Sequence, residues 1–167
     1  MPLIRPTEIE DAHHVADCIE RVARERRFLA STKGFSTEQT QAYIQFLKDC
    51  SGVHLVALEG HNVVGWCDIA PGAFEGTSHV GHLGMGLLPN YRRRGWGKEL
   101  LSRALLSAFQ THIERVELEV FSSNVGAIRL YNNAGFREEG RKQNARKLEG
   151  QYDDILLFGI LRGDWHV

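Results

Sequence analysis

Gly86-Leu87-Leu88-Pro89-Asn90-Tyr91-Arg92-Arg93-Arg94-Gly95-Trp96-Gly97-Lys98-Glu99-Leu100-Leu101 is the stretch from which this 167-residue chain is best read. An apolar run (Leu83, Met85, Leu87, Leu88) stops at Pro89, three arginines and two glycines follow, and then Leu100, Leu101, Ala104, Leu105 and Ala108 recur at helical spacing. The pattern predicts a strand, a loop and a helix. A helix that starts this way leaves backbone N–H groups unpaired and points the positive end of its dipole at the loop. Gly95 and Gly97 remove side chains where backbone must approach an anion closely, and Arg92, Arg93, Arg94 and Lys98 supply charge around it.

Two common phosphate loops do not fit. A Walker A loop ends in Lys-Ser/Thr after a wider glycine spacing, whereas Gly97 is followed by Lys98-Glu99. A dinucleotide fingerprint needs a third glycine that is missing here. What fits is [Gln/Arg]-x-x-Gly-x-[Gly/Ala], filled by Arg92, Gly95 and Gly97. Downstream, Val116, Leu118 and Val120 alternate as in a half-buried strand. Then Asn124, Ala127 and Tyr131, followed by Gly135-Phe136, read as a short helix with Asn124 near its N-cap and Gly135 just past its end. The two blocks, in this order, resemble the pyrophosphate loop and the N-x-x-A-x-x-x-Y…G-F region of the GNAT superfamily of N-acetyltransferases. The resemblance runs from the hairpin near Val53 to the last strand.

The remaining elements follow from pattern. Leu3-Ile4-Arg5-Pro6 reads as a strand, and a helix beginning at Thr7-Glu8-Ile9-Glu10 is expected to reach Arg27. Ser36 or Thr37 caps a second helix through Leu47. Strands at Val53–Glu59 and Val63–Ala70 join through Gly60-His61-Asn62. After the strand ending at Leu88 come the loop helix to about Gln110 and the strand at Val116. The Asn124 helix follows, then strands near Phe136–Arg141 and Tyr152–Leu161. The order β-α-α-β-β-β-α-β-α-β-β implies a mixed α/β fold, a mostly antiparallel sheet with helices on both faces, and one domain over residues 1–167.

The resemblance implies direct acetyl transfer from acetyl-CoA to a primary amine in a ternary complex. By position it places the co-substrate on Leu87, Leu88, Arg92, Arg93, Arg94, Gly95, Trp96, Gly97, Lys98, Asn124 and Tyr131. Tyr131 falls where the family has its general acid, and a phenol with a pKa of about 10 holds its proton at neutral pH. The family's usual glutamate on the strand before the loop is absent, since that strand reads His79-Val80-Gly81-His82-Leu83-Gly84-Met85-Gly86. Either Asp68, an acid inside the apolar Gly65-Trp66-Cys67-Asp68-Ile69, or His82 is the candidate base. A base, or a dry pocket with a relay, is needed because a lysine-like amine spends about 4 to 5 kcal/mol to be neutral at pH 7. Glu25, Trp66, Asp68 and Asp153 are the candidate contacts for the acceptor, and no metal is called for. The acceptor reads as an amino acid, a polyamine or an amine-bearing antibiotic. A protein N-terminus is the runner-up, and a CoA-binding sensor without turnover is the alternative outside enzymes.

Composition bounds the rest. Lys+Arg 20 against Asp+Glu 21 gives a net charge of −1, so nothing global favours nucleic acid or an anionic membrane. Cys18, Cys50 and Cys67 have no metal-type spacing and leave an odd thiol, which points to a reducing cytosol rather than a disulfide framework. No leader-like or membrane-length apolar run is present, so a cytoplasmic protein is expected. Oligomeric state is not legible, although family members are often homodimers.

Overall fold

The computed structural model describes residues 2–166. Its elements are β1 (Leu3–Pro6), α1 (Ala12–Arg24), α2 (Thr37–Asp49), β2 (Val53–Glu59), β3 (Asn62–Pro71), β4 (Val80–Leu87), α3 (Trp96–Phe109), β5 (Arg115–Phe121), α4 (Val125–Asn133), β6 (Arg137–Leu148) and β7 (Gln151–Leu161). The order is the one the sequence predicts. The strands form one sheet in the order β1-β2-β3-β4-β5-β7-β6.

Every neighbouring pair is antiparallel except β4 and β5, which are joined by the α3 crossover. That parallel pair is short: Val80, Gly81 and His82 meet Arg115, Val116 and Glu117, and there the register ends. Beyond it Leu83–Leu87 pair only with β3, and Leu118–Phe121 only with β7. The sheet therefore splits into a wedge between β4 and β5, whose facing edges carry backbone groups that no strand satisfies.

Alternation puts Trp66 and Asp68 on one face of β3 and Cys67 and Ile69 on the other. α2 lies over the first face, where the Tyr43 hydroxyl donates to Asp68 at 2.8 Å. α3 and α4 lie over the second, with Gly97 and Leu130 packed beside Leu87. Val56, Ile69, Leu100, Leu105, Ile113, Val116 and Phe158 form the sealed centre of the core.

Local departures from the sequence reading have physical causes. α1 starts at Ala12 because Thr7 does not cap it; its hydroxyl is 2.8 Å from Nδ1 of buried His54. A turn of 3₁₀ helix over Ile9–Asp11 leads in instead, with Asp11 accepting the Glu8 N–H at 2.8 Å. α1 ends at Arg24 rather than Arg27, since Arg26 turns the chain through the left-handed region (φ 58°). α2 begins as expected, with Ser36 and Gln39 capping each other's backbone. β6 runs seven residues past the expected Arg141, through Lys142-Gln143-Asn144-Ala145-Arg146-Lys147-Leu148. Both its faces there are largely exposed, so no apolar alternation marks it; pairing with β7 holds it, with a break in register between Lys142 and Arg146 where Asn144 is left-handed (φ 50°).

Candidate active site

The glycine loop is shaped by three residues of unusual backbone or small size. Arg93 (φ 58°) and Gly95 (φ 83°) are left-handed, which folds the chain back so that α3 starts facing the wedge. The first α3 amide with a helical partner is Glu99, which donates to Gly95 O at 3.1 Å, so the N–H groups of Trp96, Gly97 and Lys98 stay at the open end. A Cβ on Gly97 would meet Leu87 at 3.4 Å and Leu130 at 3.6 Å, ordinary contact distances that explain why glycine or alanine suits the position. Arg93, Arg94 and Lys98 are exposed around this opening, and Arg94 lies 5.9 Å over Trp96.

Arg92 behaves differently from its neighbours. Its Nε donates to Leu87 O at 2.8 Å, its Nη1 to Glu25 Oε2 at 2.8 Å, and Nη2 to the other Glu25 oxygen. The guanidinium also stacks 4.6 Å above Phe28. Arg92, expected as a phosphate contact, and Glu25, expected as an amine receptor, are paired with each other in this structure. The backbone of Leu88 is engaged within the protein, its N–H donating to Val64 O at 2.9 Å and its carbonyl accepting from Tyr91 at 3.0 Å, so the backbone free of a strand partner on this side of the wedge lies in Leu83–Leu87, where the Leu87 carbonyl is held by Arg92.

Across the wedge, Asn124 caps α4 by accepting the Ala127 N–H at 3.2 Å. α4 carries Tyr131, whose ring is buried against Phe136 (5.7 Å) and Phe158 (6.4 Å). Among the described residues its hydroxyl has no protein partner, yet no enclosed polar atom is left unsatisfied, so this oxygen reaches open space. Burial, with the nearby Cys67 thiol adding to it, raises the Tyr131 pKa and holds the phenol neutral.

On the other face of β3, Asp68 sits opposite Gly84 of β4. A Cβ on Gly84 would lie 3.2 Å from Asp68 Oδ1, so glycine there leaves room for the half-buried carboxylate beside the very strand that lacks an acid of its own. Burial pushes the Asp68 carboxyl up to about 7, although bonds from Tyr43 and Trp66 pull the other way. Trp66 is buried, its indole reaching so close to Gly86 that a Cβ there would fall 2.3 Å from the ring. It forms the floor next to Asp68 rather than an open contact surface.

The other candidates are dispersed. His82 is exposed at the fork of the wedge, its Nδ1 3.1 Å from Glu117. His79 lies in the turn before β4. Asp153 is taken up by the β5–α4 corner, accepting from both Ser122 and Ser123 hydroxyls and from the Ser123 N–H at 3.2 Å. Burial alone would raise its pKa, but these donors outweigh it and lower it, so Asp153, expected as an acceptor contact, serves in this structure as a clamp on that corner. Tyr43 was not foreseen; an aromatic on one face of a helix is an ordinary core signal and does not announce a partner 25 residues away.

A model of the acetyltransferase (GNAT) family matches residues 18–136. The chain belongs to the GNAT family of acetyltransferases. As such it is an acetyl-CoA-dependent acyltransferase. Over 118 residues (70% of the chain and 73% of the relative) it is 30% identical to the L-amino acid N-acetyltransferase AaaT of Escherichia coli. Over 157 residues (94% and 93%) it is 24% identical to the [ribosomal protein bS18]-alanine N-acetyltransferase of the same species. The spermidine N(1)-acetyltransferase of Vibrio cholerae matches at 29% over 80 residues, 47% of this chain and 46% of that one. Among solved structures, a GNAT acetyltransferase from Streptococcus pneumoniae superposes with a TM-score of 0.90 at 25% identity, covering 96% of this chain and 99% of that one. The Salmonella typhimurium protein yncA with its cofactor acetyl-CoA gives 0.90 at 18% identity, covering 96% and 93%, a likeness of fold.

The wedge fits an acetyl-CoA molecule in kind. It offers a helix start without side-chain obstruction for phosphates, an unpaired strand edge for an extended amide-bearing arm, and a neutral phenol opposite. Among the described residues no helix is long and apolar enough to cross a membrane.

Proposed function

We propose that this acetyltransferase acts on a small primary amine, with Asp68 as the group that receives the ammonium and takes its proton, and Tyr131 as the acid that protonates the leaving thiolate. Acetyl-CoA supplies an acyl group already activated as a thioester. The chain's part is to bind it, orient the amine and move two protons. The phosphates are read as seated on the N–H groups of Trp96, Gly97 and Lys98 with Arg93, Arg94 and Lys98 around them, and the arm along Leu83–Leu87. Asn124 sets the start of α4 and thereby the placement of Tyr131.

The observation that carries this reading is Asp68. An acid with a pKa of about 7 is divided between its two protonation states at neutral pH, which suits a general base. It is uncrowded on the side of Gly84 and stands beside the strand edge where the acyl group is expected. His82 is already engaged by Glu117, which supports Asp68 over it.

The choice of a small acceptor is supported by a contact between the two segments that border the acceptor side in this family. Arg146 of β6 donates to Arg26 O at 2.7 Å, and Arg26 Nε donates to Glu149 at 3.0 Å, tying the β6–β7 hairpin to the end of α1. A protein N-terminus would have to enter past this tie. A single cytoplasmic catalytic domain acting on a soluble metabolite is consistent with these features. The test is free-thiol release from acetyl-CoA across amino acids, polyamines, aminoglycosides and peptide N-termini. Turnover confined to small amines is expected; turnover confined to peptides would reassign the acceptor, and acetyl-CoA binding without turnover on any of them would favour a sensor.

A further inference from the structure

Asp68 does not stand alone on its face of the sheet. In the β2–β3 register it lies opposite His54, so the two side chains are neighbours beneath α2. Tyr43 of α2 reaches both. Its hydroxyl donates to Asp68 Oδ2 at 2.8 Å, and its ring meets the His54 imidazole edge-on, with 6.3 Å between centroids. Phe46, one turn further along α2, stacks against the same ring at 6.2 Å. His54 is itself fixed: it is buried, with Nδ1 2.8 Å from the Thr7 hydroxyl, and burial lowers its pKa to about 4, so it packs against Tyr43 as an uncharged ring. Burial, with the Asp68 charge adding to it, raises the Tyr43 phenol above its ordinary value, so Tyr43 donates and does not compete for a proton. Of the two Asp68 oxygens, Oδ1 is the nearer to β4, since a Cβ on Gly84 would lie 3.2 Å from it and 3.5 Å from Oδ2.

We propose that Tyr43 is a positioning residue of this reaction: held by His54 and Phe46, it pins Oδ2 of Asp68 and so presents Oδ1 to the β4 edge as the oxygen that takes the proton of the amine. In that step an ammonium N–H bond breaks, the Oδ1–H bond forms, and the electron pair stays on nitrogen for attack on the thioester carbon. Oδ2 accepts from Tyr43 before and after the transfer, more strongly while the carboxyl is charged, so the same bond opposes the upward push of burial on Asp68. The groups that face the carboxyl are Tyr43 from α2, His54 from β2 and Trp66 along β3, all uncharged at neutral pH. From β4, Gly84 brings no side chain, and His82 two residues away is engaged by Glu117. The proposal rests on Asp68 being the base, as in the proposed function above.

Tyr43→Phe tests it, because the ring stays against His54 and Phe46 and only the donor is lost. Two readouts are taken. The Asp68 carboxyl carbon, followed by NMR in the free protein and assigned by its absence from Asp68→Asn, needs no knowledge of the acceptor. The pH profile of kcat/KM uses the amine found by thiol release. In the wild type the carbon is expected to titrate near pH 7, and in Tyr43→Phe about one pH unit higher, the worth of one hydrogen bond to a charged group. The limb of kcat/KM should move with it, and the plateau should fall about tenfold because Oδ1 is no longer aimed. A carbon that titrates as in the wild type overturns the proposal, and so does one that titrates lower, as it would if the hydroxyl only kept water from the carboxyl. An unchanged plateau also overturns it, since Oδ1 would then be aimed without Tyr43. If Asp68→Asn keeps the limb, the base lies elsewhere, and the reading beneath the proposal falls whatever Tyr43→Phe does.

Discussion

The two walls of the wedge are made of different materials. The wall toward the glycine loop and α4 presents backbone: N–H groups at the start of α3, an unpaired stretch of β4, and one phenol whose hydroxyl has no protein partner among the described residues. The wall toward α1, α2 and the last hairpin presents side chains that mostly hold one another, as Arg92 holds Glu25, Ser122 and Ser123 hold Asp153, and Tyr43 holds Asp68. Backbone groups at a helix start are available by default, because the helix cannot use them. Side chains have been recruited into pairs, so the acceptor wall is rigid and offers little free charge. Asp68 is the exception, a half-buried carboxylate held by neutral donors rather than by a cation, with only a glycine opposite it on β4.

The strongest way to break this contrast is to put a side chain on the backbone wall. Gly97→Glu is expected to fold, since its Cβ meets only ordinary contacts and an acidic residue suits the first turn of a helix. Its charge lies at the phosphate seat, so acetyl-CoA affinity should fall about 100-fold or more, roughly 2.7 kcal/mol, by calorimetry. An unchanged Kd would move the seat elsewhere.

Tyr131→Phe removes only a hydroxyl that no described protein group uses. Turnover should fall by about 100-fold at an unchanged acetyl-CoA Kd and an unchanged melting temperature. Wild-type turnover under conditions where chemistry limits the rate would end its role as the acid.

On the side-chain wall the effects are smaller and appear as stability. Asp153→Asn should cost about 1 to 2 kcal/mol in urea unfolding at pH 7. Its pKa is lowered by folding, so the stability it lends is present above the ordinary carboxylate range and is lost as pH falls through its folded value; the variant and the wild type should converge in acid. Asp68 has the opposite sign. Its folded value of about 7 lies above that of an unfolded carboxylate, so its contribution is fully present below about pH 4 and is lost as pH rises toward 7. Asp68→Asn should therefore melt higher than the wild type at pH 8 and no higher near pH 4.

The same contrast explains what could be read from the chain. Glycines, a helix start and an N-cap are local devices, and Arg92 to Gly97 and Asn124 to Phe136 spell them out within a few residues. Asp68 was legible as an acid in an apolar strand, but the glycine opposite that leaves room for it was not. Arg92 was legible as the first residue of the glycine-loop motif and Glu25 only as a charge; their pairing was not. Their union joins positions 67 apart, and nothing local distinguishes a guanidinium that faces phosphate from one that faces a distant carboxylate. The far half of β6 was lost for a related reason: its residues are polar on both faces, and only the partner strand makes it a strand.

The most direct test of the account is the pH dependence of kcat/KM for the amine found by thiol release, in the wild type and in Asp68→Asn. The account predicts a wild-type rate that rises through an apparent pKa of about 7, and a variant about 100-fold or more slower in which that limb is gone. A variant that keeps both the rate and the limb would contradict it and return the base to His82 or to solvent.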